Sequence, residues 1–210
     1  MKIVVFGATG GTGAKLVERG LAAGHHVVAV ARRPEAVDTH HERLVVVKGD
    51  VLVLETVRAA VRGADVVISA IGPADNKRPG TLVSAGVANI IDACAAEGVK
   101  RFVFESGIMV GTGRGLSLPM RIGLALFRWR HSELCDDKRK AEAAIRQSGL
   151  DWVIVRPPTL VHEPARGGYR VGIDLDLNLQ KTLPHSDVAE LLVRLAEETT
   201  RKSEVLDVGY

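Results

Sequence analysis

A short apolar strand runs directly into a glycine-rich turn at the start of the chain. The turn follows residues 1–6 (MKIVVF) and consists of Gly7, Ala8, Thr9, Gly10, Gly11, Thr12 and Gly13. Glycines in such a turn permit a tight exit from the strand, a close backbone approach to an anion, and close packing of the next helix on the sheet. The helix N-terminus adds free N–H donors and the positive end of its dipole.

The position of this turn decides how its spacing is interpreted. A Gly-x-x-Gly-x-x-Gly pattern alone also occurs in flexible turns. Here the glycines lie between a predicted strand and a predicted helix, and a second apolar strand, residues 26–31, follows at the distance of a βαβ unit. This context indicates a site for a dinucleotide pyrophosphate. We expect cofactor contacts from Gly7, Thr9, Gly10, Gly11, Thr12 and Gly13.

The overall composition is that of a globular α/β protein. Its 210 residues suit one domain, and 46% hydrophobic residues allow a substantial core. No apolar run reaches the roughly 20 residues of a membrane span. The net charge of +3, without a dense Lys/Arg block, argues against a nucleic-acid partner. Because the chain begins with a predicted core strand, we expect no secretory signal.

Cysteine and histidine residues show no metal-site pattern. Cys94 and Cys135 lack CxxC spacing, so we expect two free thiols and a cytoplasmic location. The histidines at 25–26 and 40–41 are adjacent pairs, which do not share one face of a helix or strand. We therefore predict no metal site.

Strand and helix patterns alternate along the chain. Predicted strands are nearly continuously apolar, as in a parallel sheet covered on both faces, and span residues 2–6, 26–31, 43–48, 65–70, 101–105, 151–156 and 204–208. Predicted helices span residues 12–23, 53–61, 80–97, 133–148 and 185–199. We predict an α/β fold, a Rossmann-type doubly wound parallel sheet with helices on both faces and strand order 3-2-1-4-5-6. A single domain, residues 1–210, would carry a small C-terminal substrate lobe.

Two stretches, residues 107–131 and 157–184, interrupt the alternation. Both leave the carboxyl ends of predicted strands, where ligands bind in open α/β sheets. We therefore expect these stretches to build the substrate pocket and its lid.

Residues 116–131, within the first stretch, combine many apolar side chains with Arg121, Arg128 and Arg130. Three interpretations compete: a lid over an aromatic substrate, a dimer contact, or an interfacial membrane helix. We favour the lid because the segment leaves the fifth strand at the ligand edge. Trp129 and Met120 would then stack on a planar ring.

The end of the second strand indicates which dinucleotide binds. An NAD-preferring site has an Asp or Glu there for the ribose 2′-hydroxyl, whereas this strand ends Ala31-Arg32-Arg33. Guanidinium groups match a 2′-phosphate, which a carboxylate would repel. We predict NADP(H), with Arg32 the stronger contact because it comes first off the strand, and Arg33 either a second contact or merely solvated.

Two further strand ends are predicted to reach the cofactor. Asp50 follows the third strand and is placed to accept a hydrogen bond from the adenine amino group, with Val51 against the ring. A role for Asp50 as the N-cap of the next helix is compatible with this contact. Gly72 follows the fourth strand and would let the chain pass close to the cofactor ribose.

The glycine turn, Gly49-Asp50-Val51 and residues 102–106 (FVFES) together resemble a short-chain dehydrogenase. Typical members of that family use Ser with a Tyr-x-x-x-Lys pair, in which Lys lowers the pKa of Tyr for acid–base catalysis. This chain has Leu134 four residues before Lys138, and neither of its tyrosines precedes a lysine at that distance. Alcohol–ketone chemistry and sugar-nucleotide epimerisation through such a pair are therefore not expected.

Further motifs narrow the resemblance. They are residues 136–142 (DDKRKAE), Ser148-Gly149-Leu150, Pro157-Pro158 and Gly167-Gly168-Tyr169. With them the chain resembles, over nearly its whole length, the atypical NmrA-like NAD(P)H-binding short-chain dehydrogenases, and more narrowly the biliverdin-IXβ reductase (flavin reductase) family. The resemblance implies that Ser106 contacts cofactor or acceptor and is catalytic. It also implies cofactor contacts from Pro157 and Thr159, where Thr159 stands in place of a family histidine and argues against biliverdin itself.

These features predict an NADPH-dependent oxidoreductase that transfers a hydride to a planar conjugated acceptor such as a flavin or quinone. Such acceptors need little acid catalysis, because position and orientation supply much of the rate. The alternative is a non-catalytic NADP(H)-binding redox sensor of the NmrA-like type. We expect a monomer or a homodimer.

Two charged residues admit structural roles. Arg156 ends a buried strand and needs a partner, for which Glu105 and Asp187 are candidates, unless it binds substrate. Residues 185–189 (HSDVA) resemble a helix start capped by Ser186 or Asp187, so we expect Asp187 to be structural.

Overall fold

The computed structural model describes residues 1–73 and 80–210. Its strands are β1 (Lys2–Phe6), β2 (His26–Ala31), β3 (Leu44–Lys48), β4 (Val66–Ser69), β5 (Arg101–Glu105), β6 (Asp151–Arg156), β7 (Leu160–Val161), β8 (Arg170–Gly172), β9 (Leu183–Pro184) and β10 (Glu204–Gly209). Its helices are α1 (Gly11–Ala22), α2 (Leu54–Val61), α3 (Leu82–Glu97), α4 (Leu118–Arg130), α5 (Ser132–Gln147) and α6 (His185–Glu197).

One eight-stranded sheet runs in the order β3-β2-β1-β4-β5-β6-β10-β8. The first seven of these strands are parallel, and β8 pairs antiparallel with β10. The predicted Rossmann-type order 3-2-1-4-5-6 is therefore confirmed. The stretch 157–184 adds what the pattern did not predict, the edge strand β8 and a small parallel pair, β7 with β9.

Alternate residues of β1 enter two separate cores. Ile3 and Val5 pack with apolar side chains of α1 and α6 on one face of the sheet. Val4 and Phe6 pack with α2, α3 and α5 on the other face. Successive side chains of a strand point to opposite faces, so a strand with two covered faces must be apolar throughout. For this reason, continuous apolar runs without alternation predicted the strands of this sheet correctly.

A third, smaller apolar cluster joins the two stretches that interrupt the alternation. Ile108, Leu116 and Leu124 from residues 107–131 pack with Leu177 from residues 157–184. The first stretch contains the helix α4, and the second contributes β7, β8 and β9. Apart from β8, which joins the main sheet, these segments form a small lobe after the carboxyl ends of β5 and β6.

Both cysteines are free and buried. Within residues 1–73 and 80–210, no helix combines the length and apolarity needed to cross a membrane. The same residues contain no group of three or more His, Cys, Asp or Glu side chains placed to hold a metal ion.

Candidate dinucleotide-binding site

The carboxyl ends of strands β1 to β5 border a cavity of about 500 Å³. Most of the residues predicted to contact the cofactor line it, namely Gly7, Thr9, Gly10, Gly11, Thr12, Arg32, Arg33, Asp50, Val51 and Gly72. Other predicted residues are absent from the described part of its wall, namely Gly13, Ser106, Pro157 and Thr159. The fold thus brings together one end of the predicted site and leaves the other end apart.

Two glycines of the turn are required by close backbone packing. Gly7 has a φ of +83°, and a Cβ there would lie 2.6 Å from the carbonyl oxygen of Ala70. A Cβ on Gly13 would lie 1.9 Å from the carbonyl oxygen of Gly7. Gly13 therefore packs the start of α1 against the turn, and the structure gives it a packing role in place of a wall position.

The N-terminus of α1 is left open toward an anion. Gly10 is the N-cap and offers no side-chain hydrogen bond, and the first turn of the helix contains no acidic residue. Among the described atoms, a Cβ on Gly10 would come within 4 Å only of the carbonyl oxygen of Gly7, at 3.3 Å, so this side of the turn is uncrowded. Unpaired N–H groups and the helix dipole favour a phosphate at such a position.

Arg32 and Arg33 extend from the end of β2 into the wall of the cavity, where both are exposed. Neither forms an ion pair with any residue that the structure describes. Their charges are therefore not neutralised by described carboxylates, which suits recognition of a phosphate group.

Asp50 and Val51 occupy the third strand end as predicted, with added contacts. The Asp50 carboxylate accepts a hydrogen bond from the Leu52 N–H at 3.0 Å and so stabilises the turn before α2. The N-cap of α2 is Val53, so the prediction that Asp50 caps this helix is wrong. A Cβ on Gly86 of α3 would lie 2.9 Å from the Val51 side chain, so Val51 packs closely against this helix, a contact not predicted from the sequence.

A hydrogen-bonded row of polar side chains lies at the inner end of the cavity, with Thr12 and Glu105 buried and His185 partly buried. The Thr12 side-chain oxygen is 3.1 Å from Oε1 of Glu105 and 2.9 Å from Nδ1 of His185. Burial raises the pKa of Glu105. Burial, followed by the nearby His162, lowers the pKa of His185 below its ordinary value. Because a hydroxyl can donate one hydrogen bond and accept another, Thr12 links the protonation states of the other two side chains.

Lys138 of α5 lines the same cavity and is buried. Its Nζ donates to the carbonyl oxygen of Ser106 at 2.7 Å. Burial lowers the pKa of Lys138, and the charges of Glu105 and other neighbouring acids oppose that shift. Leu134, one turn earlier, is buried and carries no proton-transfer group. Lys138, Glu105 and His185 are not among the site residues predicted from the sequence, where Lys138 serves only to locate the missing tyrosine.

Ser106 belongs to a neighbouring network. Its Oγ donates to Oε1 of Glu142 at 2.6 Å, and the Arg156 Nε donates to the same oxygen at 2.9 Å. Ser106 and Glu142 are both buried. The hydroxyl of Ser106 is thus bonded to a carboxylate outside the cavity wall, and the catalytic role implied by the resemblance stays a prediction.

The partner of Arg156 is Glu142, so the two partners suggested by the sequence, Glu105 and Asp187, are wrong. The strand register explains this: Glu105 of β5 lies opposite Val155 of β6, and Arg156, the next residue, points to the other face. That face is covered by α5, which supplies Glu142.

Asp187 is fully buried and holds the loop before β8 and the end of the chain. Its carboxylate accepts hydrogen bonds from the N–H groups of Arg166, at 3.1 Å, and Gly167, at 3.2 Å, and from the Tyr210 hydroxyl at 2.6 Å. The N-cap of α6 is Pro184, without a side-chain bond, so neither Ser186 nor Asp187 caps this helix.

The two interrupting stretches enclose a second cavity, of about 390 Å³. Met120 and Ser117 from the first stretch and Arg170 and Lys181 from the second line it. Among the described residues, neither stretch lines the 500 Å³ cavity. Trp129, expected to stack on a ligand, is 78% exposed. A substrate pocket and lid in these stretches therefore stay predictions.

Comparison with known proteins identifies relatives over nearly the whole chain. A family model described as NAD(P)H-binding matches residues 7–199. An uncharacterized chloroplastic protein of Arabidopsis thaliana is 34% identical over 213 aligned residues, covering 96% of this chain and 74% of that protein.

Solved structures show the same fold. A short-chain dehydrogenase/reductase of Veillonella parvula in complex with NADP matches with a TM-score of 0.78 at 21% identity, over 100% of this chain and 94% of that chain. An anaerobillin reductase of Escherichia coli O157:H7 matches with a TM-score of 0.79 at 24% identity, over 99% of this chain and 96% of that chain.

Proposed function

Because the chain belongs to this NAD(P)H-binding family, we propose that it is an NADPH-dependent oxidoreductase that reduces a planar conjugated acceptor such as a flavin or a quinone. One observation carries the proposal. The open N-terminus of α1 and Arg32, which forms no ion pair with a described residue, line the same cavity as the buried Lys138 and Glu105. The cavity thus has one end suited to bind an anion and another end with titratable side chains.

The residues of the cavity fit a dinucleotide. The backbone N–H groups that begin α1 would hold the pyrophosphate. Arg32 and Arg33 would hold a 2′-phosphate, and Asp50 with Val51 would hold the adenine. A Cβ on Gly72 would meet no described atom within 4 Å, so space for a ribose is open there.

The inner end of the cavity would then face the nicotinamide. When bound, NADPH supplies a hydride to the acceptor. Lys138 is one residue of this end that can hold or release a proton, because burial lowers its pKa below the ordinary value while its Nζ stays fixed on the Ser106 carbonyl. Neither Tyr169 nor Tyr210 lies in the described part of the cavity wall. Conjugated acceptors, which need little help from a protein acid, suit such a site.

Turnover with a panel of acceptors tests the proposal directly. We expect the purified protein to oxidise NADPH with FMN, riboflavin or a simple quinone, followed by the loss of cofactor absorbance. Tight binding of both NADP⁺ and NADPH without turnover would instead support the non-catalytic redox sensor. A Lys138→Met variant should bind NADPH and turn over more slowly, and Lys138→Arg should recover part of the rate.

The dinucleotide preference depends on Arg32. Arg32→Ala should weaken NADPH binding about tenfold to a hundredfold, the range for loss of hydrogen bonds to a charged group. NADH binding should change little, since NADH lacks the 2′-phosphate. The matched control is Arg58→Ala on the exposed side of α2, which should affect neither cofactor. Equal losses for both cofactors would contradict the assignment of Arg32.

The role of Ser106 requires a two-variant comparison, because its hydroxyl is bonded to Glu142. Ser106→Ala removes the hydroxyl, whereas Glu142→Gln keeps an acceptor for that hydroxyl and alters the network around it. A catalytic Ser106 predicts a lower kcat in Ser106→Ala alone. If both variants lose activity in proportion to their loss of stability, Ser106 has a structural role.

Several finer assignments remain proposals. These are membership of the NmrA-like branch, activity as a flavin reductase, a monomeric or homodimeric state, and a cytoplasmic location. The Arabidopsis relative is described as chloroplastic, so location is to be measured in the source cell by fractionation.

A further inference from the structure

Helix α4 presents an apolar face that is exposed in the described structure. Leu118, Ile122, Leu126 and Trp129 are 68%, 63%, 63% and 78% exposed. Spacings of four, four and three residues place these side chains along one side of a helix. The single buried residue of α4 is Leu124. Most apolar side chains of this helix are therefore not buried in the core of the protein.

All charged side chains of the segment that carries this face are arginines. Residues 106–132 contain neither Asp nor Glu, whereas the whole chain contains 25 of these acidic residues among 210. Arg114, Arg121 and Arg130 are exposed, and none forms an ion pair with a residue in the described ranges. Positive charge thus accompanies the apolar side chains along α4, and the next carboxylate in sequence is Glu133 at the start of α5.

The helix is fixed to the lobe by its other side. Arg128 donates hydrogen bonds from Nε to the carbonyl oxygen of Met109 at 2.8 Å and from Nη2 to that of Gly111. Leu124 packs into the small cluster with Leu116. The apolar face is therefore presented outward by a helix that is anchored at two points.

We propose that the α4 face, defined by Leu118, Ile122, Leu126 and Trp129, docks the protein on an anionic lipid surface. An amphipathic helix with aromatic and aliphatic side chains on one face and arginines beside it is the pattern of helices that lie in the plane of a membrane interface. Tryptophan favours that interface because its ring is apolar and its N–H is polar. With 13 residues, α4 lies on the surface and does not span it.

Charge distinguishes lipid from a second copy of the chain. Two copies paired through this face about a two-fold axis would bring Arg121 and Arg130 near the same arginines of the partner, and the segment offers no carboxylate to balance them. Anionic headgroups supply the missing negative charge, at roughly a fivefold gain in binding for each arginine near the surface. This inference does not depend on the proposed reaction.

Vesicle sedimentation tests the docking. We expect the full chain to bind phosphatidylcholine vesicles that contain phosphatidylglycerol, to bind phosphatidylcholine alone far less, and to dissociate as salt rises. Trp fluorescence should shift to the blue on binding. The shift would report Trp129, because the other tryptophan, Trp152, is already buried.

Two kinds of variant separate the apolar and the charged contributions. Ile122→Ser with Leu126→Ser, which keeps Trp129 as the reporter, should abolish most of the binding and most of the blue shift. Arg121→Gln with Arg130→Gln should lower the affinity for anionic vesicles roughly 25-fold, at about fivefold for each arginine. Leu52→Ser, at an exposed leucine outside the lobe, is the matched control and should bind as the unaltered chain does.

Four results would overturn the proposal. Equal binding to neutral and anionic vesicles would exclude a preference for anionic lipid, and no binding to either would exclude docking on lipid. A dimer in solution that Ile122→Ser dissociates, without vesicle binding, assigns the face to a second copy of the chain. A raised KM for a soluble acceptor in the α4 variants, with vesicle binding unchanged, assigns α4 to a lid.

Discussion

Helices α1 and α4 have nearly the same length, 12 and 13 residues, but opposite relations to the core. In α1, Leu16, Val17 and Leu21 are buried against the sheet and α6. In α4, Leu124 alone is buried, while several other apolar side chains face outward. The apolar residues of α1 are thus covered by the rest of the fold, whereas most of those in α4 are left uncovered by the described residues. This difference can be tested with matched substitutions.

The largest expected effect comes from adding one methyl group to α1. A Cβ on Gly13 would lie 1.9 Å from the carbonyl oxygen of Gly7, which is backbone and cannot rotate away. We expect Gly13→Ala to lower the free energy of unfolding by about 4 kcal/mol, above the usual range for overpacking, and to abolish NADPH binding. Chemical denaturation and cofactor titration measure the two losses.

The matched control is Gly123→Ala in α4. A Cβ at Gly123 would meet no described atom within 4 Å. Since alanine is the better helix former, we expect a gain of about 0.5–1 kcal/mol in the free energy of unfolding and unchanged cofactor binding. A destabilised Gly123→Ala variant would mean that α4 packs more tightly than the structure indicates.

A second pair of variants compares leucines in the two helices. Leu16→Ala should cost about 3 kcal/mol of unfolding free energy, because Leu16 is buried and its loss leaves a cavity. Leu126→Ala should change the unfolding free energy by less than about 0.5 kcal/mol, since Leu126 is exposed. If denaturant unfolding shows similar losses of unfolding free energy for both variants, the two helices do not differ in how they pack against the core.

The smallest expected effect is a pH dependence on the α1 side. Because burial lowers the pKa of His185 in the folded protein, the unfolded chain takes up that proton first as the pH falls below about 6.5. The unfolding free energy should therefore decrease from neutral pH down through the lowered pKa. His185→Gln should show a shallower decrease in urea unfolding, and an unchanged slope would contradict this role.

The fold was largely predictable because its signals are local. Continuous apolar runs marked the strands that end at Phe6, Ala31 and Glu105, and the glycine turn between β1 and α1 set the crossover. The antiparallel edge strand β8 was missed because three residues, Arg170–Gly172, carry no usable periodicity. Three interpretations of the α4 segment were possible because the sequence pattern does not show which of its apolar residues pack against the core.

The candidate site was predictable at one end only. Residues of the turn and of the strand ends at 32–33 and 50–51 lie in the cavity, because motif and strand end are contiguous in sequence. Glu105, Lys138 and His185 were missed at the other end. A glutamate at the end of an apolar strand was the one available signal, since a buried charge requires a partner.

The amino-acid order alone is enough to predict the parallel strands and the anion-binding turn, because each has a local signal: a continuous apolar run marks a strand, and the glycine spacing marks the turn. The remaining features needed the assembled fold. The chain from Glu105 through Thr12 to His185 joins residues up to 173 positions apart. The exchange of Glu105 for Glu142 as the partner of Arg156 follows from strand register, and the outward face of α4 follows from which surfaces the other helices already cover. These are relations between distant segments, which periodicity along one segment does not contain.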